Sequence, residues 1–477
     1  MPREFDAIVI GAGPAGEVTA AGLAAEGLEV VLVERELVGG ECAFYACMPS
    51  KALLRPAELL AEVRRVPGAR EATTGRLDPE VVLSRRDEVV HDFDDTSKLP
   101  WIEDRGIALL RGQARLDGEL RVRVGDELLQ ARRAVVLAVG SGAAMPPIPG
   151  LREIEPWTSR CGTVAEHVPR RLTVLGGGVV GCELAQAWSS LGSKVTLVEA
   201  RDGLLADEEP FAGEELADAL TDGGVDVRLG AEVTGASRDA NDTSRDANDT
   251  SRDADDTSRD SGDQTFTLTL KDGSSVVSDE LLVAVGRRPH TGDLGLESVG
   301  LAPGETIAVD DRMRVPGRDW LYAVGDVNGR ALLTHAAKYQ AKVAVATIMN
   351  RDLRAESDGA RSPRVVFTDP SIAAVGLTLN AALTQDLPAR ALDAEIGSTP
   401  CASFVGKGAP SRCRLVIDTE RDVIIGATFT GPQINELLHA ATIAIVGEVP
   451  LERLMHAIPA FPTRTEVWLR LLDQWQA

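Results

Sequence analysis

Two cysteines, Cys42 and Cys47, stand close together in Gly39-Gly-Glu-Cys-Ala-Phe-Tyr-Ala-Cys-Met-Pro-Ser-Lys51. That spacing suggests a redox-active disulfide, the alternative being a pair of buried small hydrophobes. The neighbourhood favours redox chemistry, because the pair follows a strand-like run that ends in a carboxylate, Glu34. A second carboxylate, Glu199, ends another such run, and the interval from Gly11 to Glu34 repeats from Gly176 to Glu199. A carboxylate at a strand end suits the two hydroxyls of an adenosine ribose.

Two βαβ units must position these groups. The apolar strand Ala7-Ile-Val-Ile10 leads into Gly11-Ala-Gly-Pro-Ala-Gly16, an alanine-rich helix and the strand Leu28-Glu-Val-Val-Leu-Val-Glu34. Gly11 permits the tight turn, Gly13 a close approach of backbone to a pyrophosphate, and Gly16 the packing of helix on strand. The pattern recurs with Arg171-Leu-Thr-Val-Leu175, the turn containing Gly176, Gly178 and Gly181, and Ser193-Lys-Val-Thr-Leu-Val-Glu199. Two units suggest two dinucleotides with electrons passing between them, whereas a duplicated fold binding one ligand is the alternative.

At 477 residues the chain should divide into two to four domains, and its 44 % hydrophobic content fits ordinary globular folding. No apolar run has membrane-spanning length and the N-terminus enters a strand at once, so the expectation is a soluble, cytoplasmic protein. A net charge of −23 argues against nucleic acid and anionic membranes as partners. Of the six cysteines, one redox pair and four packing thiols (Cys161, Cys182, Cys401 and Cys413) fit best. Residues 237–263 repeat Ser-Arg-Asp-Ala-Asn-Asp-Thr without an apolar seam, which predicts a disordered insertion in a hairpin flanked by Val225-Asp-Val-Arg-Leu and Thr265-Phe-Thr-Leu-Thr-Leu.

Further motifs occur in order: Ala138-Val-Gly140-Ser, Ala284-Val-Gly286-Arg-Arg-Pro289, Ala323-Val-Gly-Asp326 and Phe367-Thr-Asp-Pro370. With the cysteine segment and the two glycine turns, they make the chain resemble the pyridine nucleotide-disulfide oxidoreductases, which include lipoamide dehydrogenase, glutathione reductase and mercuric reductase. The resemblance covers nearly the whole chain. It implies an α/β fold with two Rossmann-like dinucleotide-binding domains and a C-terminal α+β dimerisation domain. The boundaries it implies are an FAD-binding domain in two parts (1–150 and 288–361), an NAD(P)-binding domain (151–287) and an interface domain (362–477).

The resemblance also implies roles. FAD would lie on the first unit, with Glu34 at its adenosine ribose and Asp326 at its ribityl chain. NADH is favoured over NADPH on the second unit, because Glu199 would repel a 2′-phosphate, although Arg201 nearby could accommodate one. Lys51 and Glu183 match an ion pair beside the flavin, and His335 in Leu332-Leu-Thr-His matches a flavin-contacting stretch. Cys47 would be the thiolate at the flavin and Cys42 the interchange nucleophile, with a helix N-terminus and Lys51 lowering the thiol pKa. A homodimer follows, in which each subunit completes the other's site.

One departure bears on the substrate. Where disulfide-reducing members carry His-Pro-Thr-x-x-Glu, this chain has Phe461-Pro-Thr-Arg-Thr-Glu466. The glutamate stays, but phenylalanine cannot move a proton, and lost acid/base help typically costs about 10²–10⁴ in rate. His456, Tyr45 and Glu41 are candidate substitutes. The chain lacks the tyrosine and C-terminal cysteines of mercuric reductases. The expected acceptor is a small-molecule disulfide with a good leaving thiol, the alternatives being reduction of a quinone or metal ion, or a weakly catalytic flavoprotein binding module.

Overall fold

The computed structural model describes residues 2–73, 75–239, 265–406 and 411–476. These form two compact units, one of residues up to 75 with 84–142 and 287 onward, the other of 76–83 with 143–286.

In the first unit, β1 (Arg3–Ile10) pairs in parallel with β2 (Val30–Glu34) and with Glu127–Leu137. Their central stretches, residues 7–10, 30–33 and 134–137, are unbroken apolar runs because both sheet faces are covered there. Ala7, Val9, Val30, Leu32 and Val136 enter the core on one face, and Ile8, Ile10, Val31, Val33 and Leu137 that on the other. The sheet continues to Ala108–Arg111 on one side and to Arg318–Ala323 on the other. Helix α1 (Pro14–Ala25) packs against Thr334–Ile348, and a Cβ on Gly22 would stand 3.0 Å from Val345.

The cysteine segment follows β2 as two helices, α2 (Gly40–Phe44) and α3 (Cys47–Arg65). The far end of α3 is tied to the last part of the chain: Arg65 pairs with Asp369, and Glu62 accepts from Gln433 Nε2 at 3.3 Å. Pro56 lies inside this helix. The last part of the unit holds a five-stranded antiparallel sheet, Arg364–Val366, Ser371–Gly376, Val423–Gly431, Arg412–Asp418 and Ala389–Glu395 in spatial order, covered by Leu438–Val446 and Val467–Gln476.

The second unit repeats the parallel core on a smaller scale, in the order Asp226–Arg228, Lys194–Val198, Arg171–Leu175 and Glu280–Val283. A three-stranded antiparallel sheet completes it: Val233–Asp239, Thr265–Leu270 and Ser275–Ser278. The hairpin expectation needs correcting here. Thr265–Leu270 pairs with Val233–Asp239, whereas Asp226–Arg228 belongs to the parallel sheet. Val233-Thr-Gly-Ala-Ser-Arg-Asp has too few apolar residues to show a period of two, so only pairing reveals it as a strand. Residues 237–239 of the expected insertion thus close that strand, and 240–263 lie outside the described residues.

Candidate active site

The two glycine turns have the same construction. Gly11 and Gly176 hold φ of +98° and +114°, which an L side chain rarely adopts. A Cβ on Gly16 would stand 1.8 Å from Gly11 O, and one on Gly181 1.9 Å from Gly176 O, so each helix sits directly on its turn. At Gly13 and Gly178, the N-caps of the two helices, a Cβ would meet nothing within 4 Å. The middle glycine of each turn therefore faces open space at a helix N-terminus, as an anionic pyrophosphate requires.

The two carboxylates are clamped alike. Glu34 Oε2 accepts from the Ala12 N–H at 2.7 Å and its Oε1 from the Glu36 N–H at 2.7 Å. Glu199 Oε2 accepts from the Gly177 N–H at 2.5 Å and its Oε1 from the Arg201 N–H at 2.8 Å. Each is fixed by backbone at a strand end with lone pairs left over, which fits the hydroxyls of a ribose. Arg201 Nη1 donates to Asp207 Oδ1 at 3.3 Å.

Asp326 lies beyond Arg318–Ala323, where its Oδ2 accepts from Ser141 Oγ at 2.5 Å with Arg287 Nε 3.5 Å away. Arg287 also donates to Ser141 Oγ and O, at 2.7 and 2.6 Å. Buried Gln340 braces the same corner, its Oε1 accepting from the Gly325 N–H and from Asn328 Nδ2 at 2.8 Å each. Gly140 and Gly286 have φ of +67° and +137°, and a Cβ on either would meet nothing within 4 Å. The positions around the first turn thus suit a dinucleotide: an open turn, a clamped carboxylate and an acid at the end of a neighbouring strand.

The cysteine segment is joined to that turn. The Gly39 N–H donates to Ala12 O at 2.8 Å, and a Cβ on Gly40 would stand 2.8 Å from Gly13 Cα. Both thiols meet one hydroxyl: Thr334 Oγ1 donates to Cys42 Sγ at 3.1 Å and lies 3.4 Å from Cys47 Sγ. A hydrogen bond to the Cys47 thiol, followed by burial, pushes the Cys42 thiol above the ordinary range, while Thr334 and the Lys338 ammonium pull the other way. The expectation that a helix N-terminus and Lys51 lower the pKa of Cys42 is therefore not met. The physical reason is placement: Cys47, not Cys42, is the first residue of the 19-residue α3 and takes the positive end of its dipole.

Lys51 lies one turn below Cys47 on α3, its Nζ 3.3 Å from Ser50 Oγ and 4.8 Å from the centroid of the Phe367 ring. Glu183 is buried in Val179–Ser190 of the second unit. His335 is exposed, its Nε2 2.6 Å from Pro363 O, and it is the preceding Thr334 that reaches the thiols. Phe461 is 73 % exposed, and Glu466 Oε2 is buried without a hydrogen-bond partner among the described residues. His456 is exposed. Cys182, Cys401 and Cys413 are buried as expected of packing thiols, but Cys161 is exposed.

Sequence reading missed Thr334, Arg287, Ser141 and Gln340. It also missed a turn at His91, Asp92 and Phe93, whose φ values are +52°, +51° and +59°. Left-handed backbone costs about 1–2 kcal/mol per non-glycine residue, so three in succession need compensation. Just beyond them, buried Asp95 accepts from the Val38 N–H and Arg111 Nη2 at 2.6 Å each, pinning the turn beside α2. There the Phe93 ring stacks on Tyr45, centroids 5.9 Å apart and planes 18° from parallel.

Among the described residues no helix is long and apolar enough to cross a membrane. Nor do three or more His, Cys, Asp or Glu gather to hold a metal ion there.

Known proteins with similar sequences sharpen this picture. Residues 5–341 match the family described as pyridine nucleotide-disulphide oxidoreductase, and 362–471 match its dimerisation domain. The dihydrolipoyl dehydrogenase of Chlamydia muridarum is 31 % identical over 477 residues, 98 % of this chain and 96 % of that protein. A mercuric reductase of Shigella flexneri is 31 % identical over 469 residues, 96 % of this chain and 78 % of that protein. In structure, the chain resembles the Cu(II) complex of the HOCl-induced flavoprotein disulfide reductase RclA from Escherichia coli, with a TM-score of 0.81 at 23 % identity over 99 % of this chain and all of that one.

Proposed function

Because the chain belongs to the pyridine nucleotide-disulphide oxidoreductases, FAD-dependent enzymes that use NAD(P)H, we propose that it is a homodimeric reductase delivering electrons from NADH through the Cys42–Cys47 pair to a small-molecule disulfide. The observation that carries this reading is the shared hydroxyl: both thiols meet Thr334 Oγ1 beside a dinucleotide turn. FAD, when bound, supplies the chemistry of accepting hydride and passing an electron pair to the disulfide.

The chain's own residues bind and orient. Glu34 would hold the adenosine ribose of FAD, the open backbone at Gly13 its pyrophosphate, and Asp326 its ribityl hydroxyls, fixed by Ser141 and Arg287. Glu199 would hold the ribose of the nicotinamide nucleotide. NADH over NADPH is supported by the engagement of Arg201 with Asp207, which directs the guanidinium to a carboxylate rather than to a 2′-phosphate. Cys47, at the N-terminus of α3 with Lys51 one turn on, is suited to hold negative charge. Cys42 would attack the substrate. Thr334 donates a proton to its sulfur in a hydrogen bond and so favours the reactive thiolate.

Anaerobic NADH titration followed by an acceptor panel tests this reading. Two-electron reduction should produce a long-wavelength absorption band, and Cys42→Ser should abolish disulfide turnover while the flavin still bleaches with NADH. Bleaching without the band, or a disulfide rate unchanged in Cys42→Ser, would overturn the disulfide route in favour of direct transfer to an acceptor such as a quinone.

A further inference from the structure

The strained turn His91–Phe93 serves none of the roles described so far, yet it delivers an aromatic ring to the residues between the two cysteines. Tyr45 lies three residues after Cys42 and caps α2, its N–H donating to Glu41 O at 2.8 Å. Tyr45 thus stands in the short stretch that joins the two cysteines, where α2 gives way to α3. Neither ring is buried: Tyr45 and Phe93 are both half-buried, while Phe44, tilted against Tyr45 at 6.3 Å, is fully buried beneath. A near-parallel pair of half-buried rings is a flat apolar platform on the segment between the two cysteines, held there by backbone strain that Asp95 offsets.

A second observation concerns the leaving group. Cys42 Sγ accepts from the Thr334 hydroxyl at 3.1 Å, with Cys47 Sγ 3.4 Å from the same oxygen, and a neutral hydroxyl is a poor acid for a departing sulfur. Phe461 stands where a histidine was expected. A thiol of low pKa leaves without such help. Resting on the disulfide-reductase reading above, we infer that the substrate is a disulfide of an aromatic thiol, and that Tyr45, held by Phe93, is the residue that selects it.

The exchange balances with the groups present. Cys42 Sγ attacks one sulfur of ArS–SAr and expels one arylthiolate. Cys47 Sγ then attacks the Cys42 sulfur of the mixed disulfide and expels the second. The aryl S–S bond breaks, the Cys42–Cys47 bond forms, two electrons pass to the substrate, and the two thiol protons go to solvent.

The test compares kcat/KM for 5,5′-dithiobis(2-nitrobenzoate) with that for the aliphatic hydroxyethyl disulfide, in the FAD-loaded wild type and in Tyr45→Leu, Phe93→Leu and Phe93→Tyr. The aromatic-to-aliphatic ratio should fall about two- to tenfold in both leucine variants, the range of one stacked aromatic pair, and recover in Phe93→Tyr. Flavin absorbance and the rate of bleaching by NADH report that each variant is folded and loaded. An unchanged ratio, or equal losses on both substrates, would overturn the inference. Failure of the underlying reading is separately visible, since Cys42→Ser would then still reduce both disulfides.

Discussion

Replacing Thr334 by valine keeps the shape of the side chain and removes only the hydroxyl that both thiols meet. The Oγ1 proton favours the charged form of Cys42, so its loss should raise a thiol that the Cys47 hydrogen bond and burial already hold high. A hydrogen bond to a charged group contributes about 1.5–3 kcal/mol, and ~1.4 kcal/mol is one pKa unit, so the rise should be about one to two units. The thiolate fraction at neutral pH then falls about ten- to a hundredfold. Part of this is recovered because a more basic thiolate is more nucleophilic, with a slope of about 0.4–0.5. The net expectation is a roughly three- to tenfold slower reaction. The assay is iodoacetamide alkylation of the two-electron-reduced protein between pH 6 and 10, with peptide mass spectrometry assigning the modified cysteine. Thr334→Ser should restore the wild-type profile. Coincident profiles for wild type and Thr334→Val, with alkylation at Cys42, would refute the assignment of this hydroxyl.

Three further expectations follow from the same geometry. Gly13→Ala should fold with an unchanged thermal midpoint as apoprotein but lose bound FAD, because its Cβ meets no protein atom, whereas Gly16→Ala should lower the apoprotein midpoint as well; flavin absorbance and thermal denaturation separate the two. Glu199→Gln removes one negative charge worth ~1 kcal/mol at about 4 Å in water, so the KM for NADPH should fall about fivefold relative to that for NADH in steady-state kinetics. Disulfide reduction should climb with pH through the alkaline range without levelling near pH 8.5, since a raised Cys42 pKa leaves the thiol protonated at neutrality and its thiolate grows as pH rises; a stopped-flow profile with an ordinary thiol plateau would contradict this.

The two βαβ units were legible because several independent constraints coincide in them. Strands buried on both faces read as unbroken apolar runs, and each turn carries glycines where a Cβ would collide with backbone. The carboxylates at Glu34 and Glu199 were found through their regular interval from those turns. Thr334 was not, because a threonine at the start of a helix looks like any other and its importance arises from two sulfurs almost three hundred positions away. The placement of charge also escaped, since α3 begins at Cys47 and only a helix boundary, the least regular part of a pattern, decides which cysteine receives its dipole. His91-Asp-Phe93 contains no glycine, and the modest preference of His and Asp for left-handed backbone is too weak a signal to announce a three-residue turn.

Helix α3 carries the Cys47 sulfur at one end and grips the dimerisation region at the other, through Arg65 with Asp369 and Glu62 with Gln433. It is in effect a lever about 28 Å long. Tilting it by ~5° from its gripped end would sweep the first turn through ~2.5 Å, comparable with the whole separation of the Cys47 sulfur from the Thr334 hydroxyl. Pro56, which interrupts the hydrogen-bond ladder partway along, gives the shaft one place to flex and so absorbs part of such a stroke. Mechanical tolerance at the subunit contact and chemical tolerance at the thiols are thereby made into a single quantity.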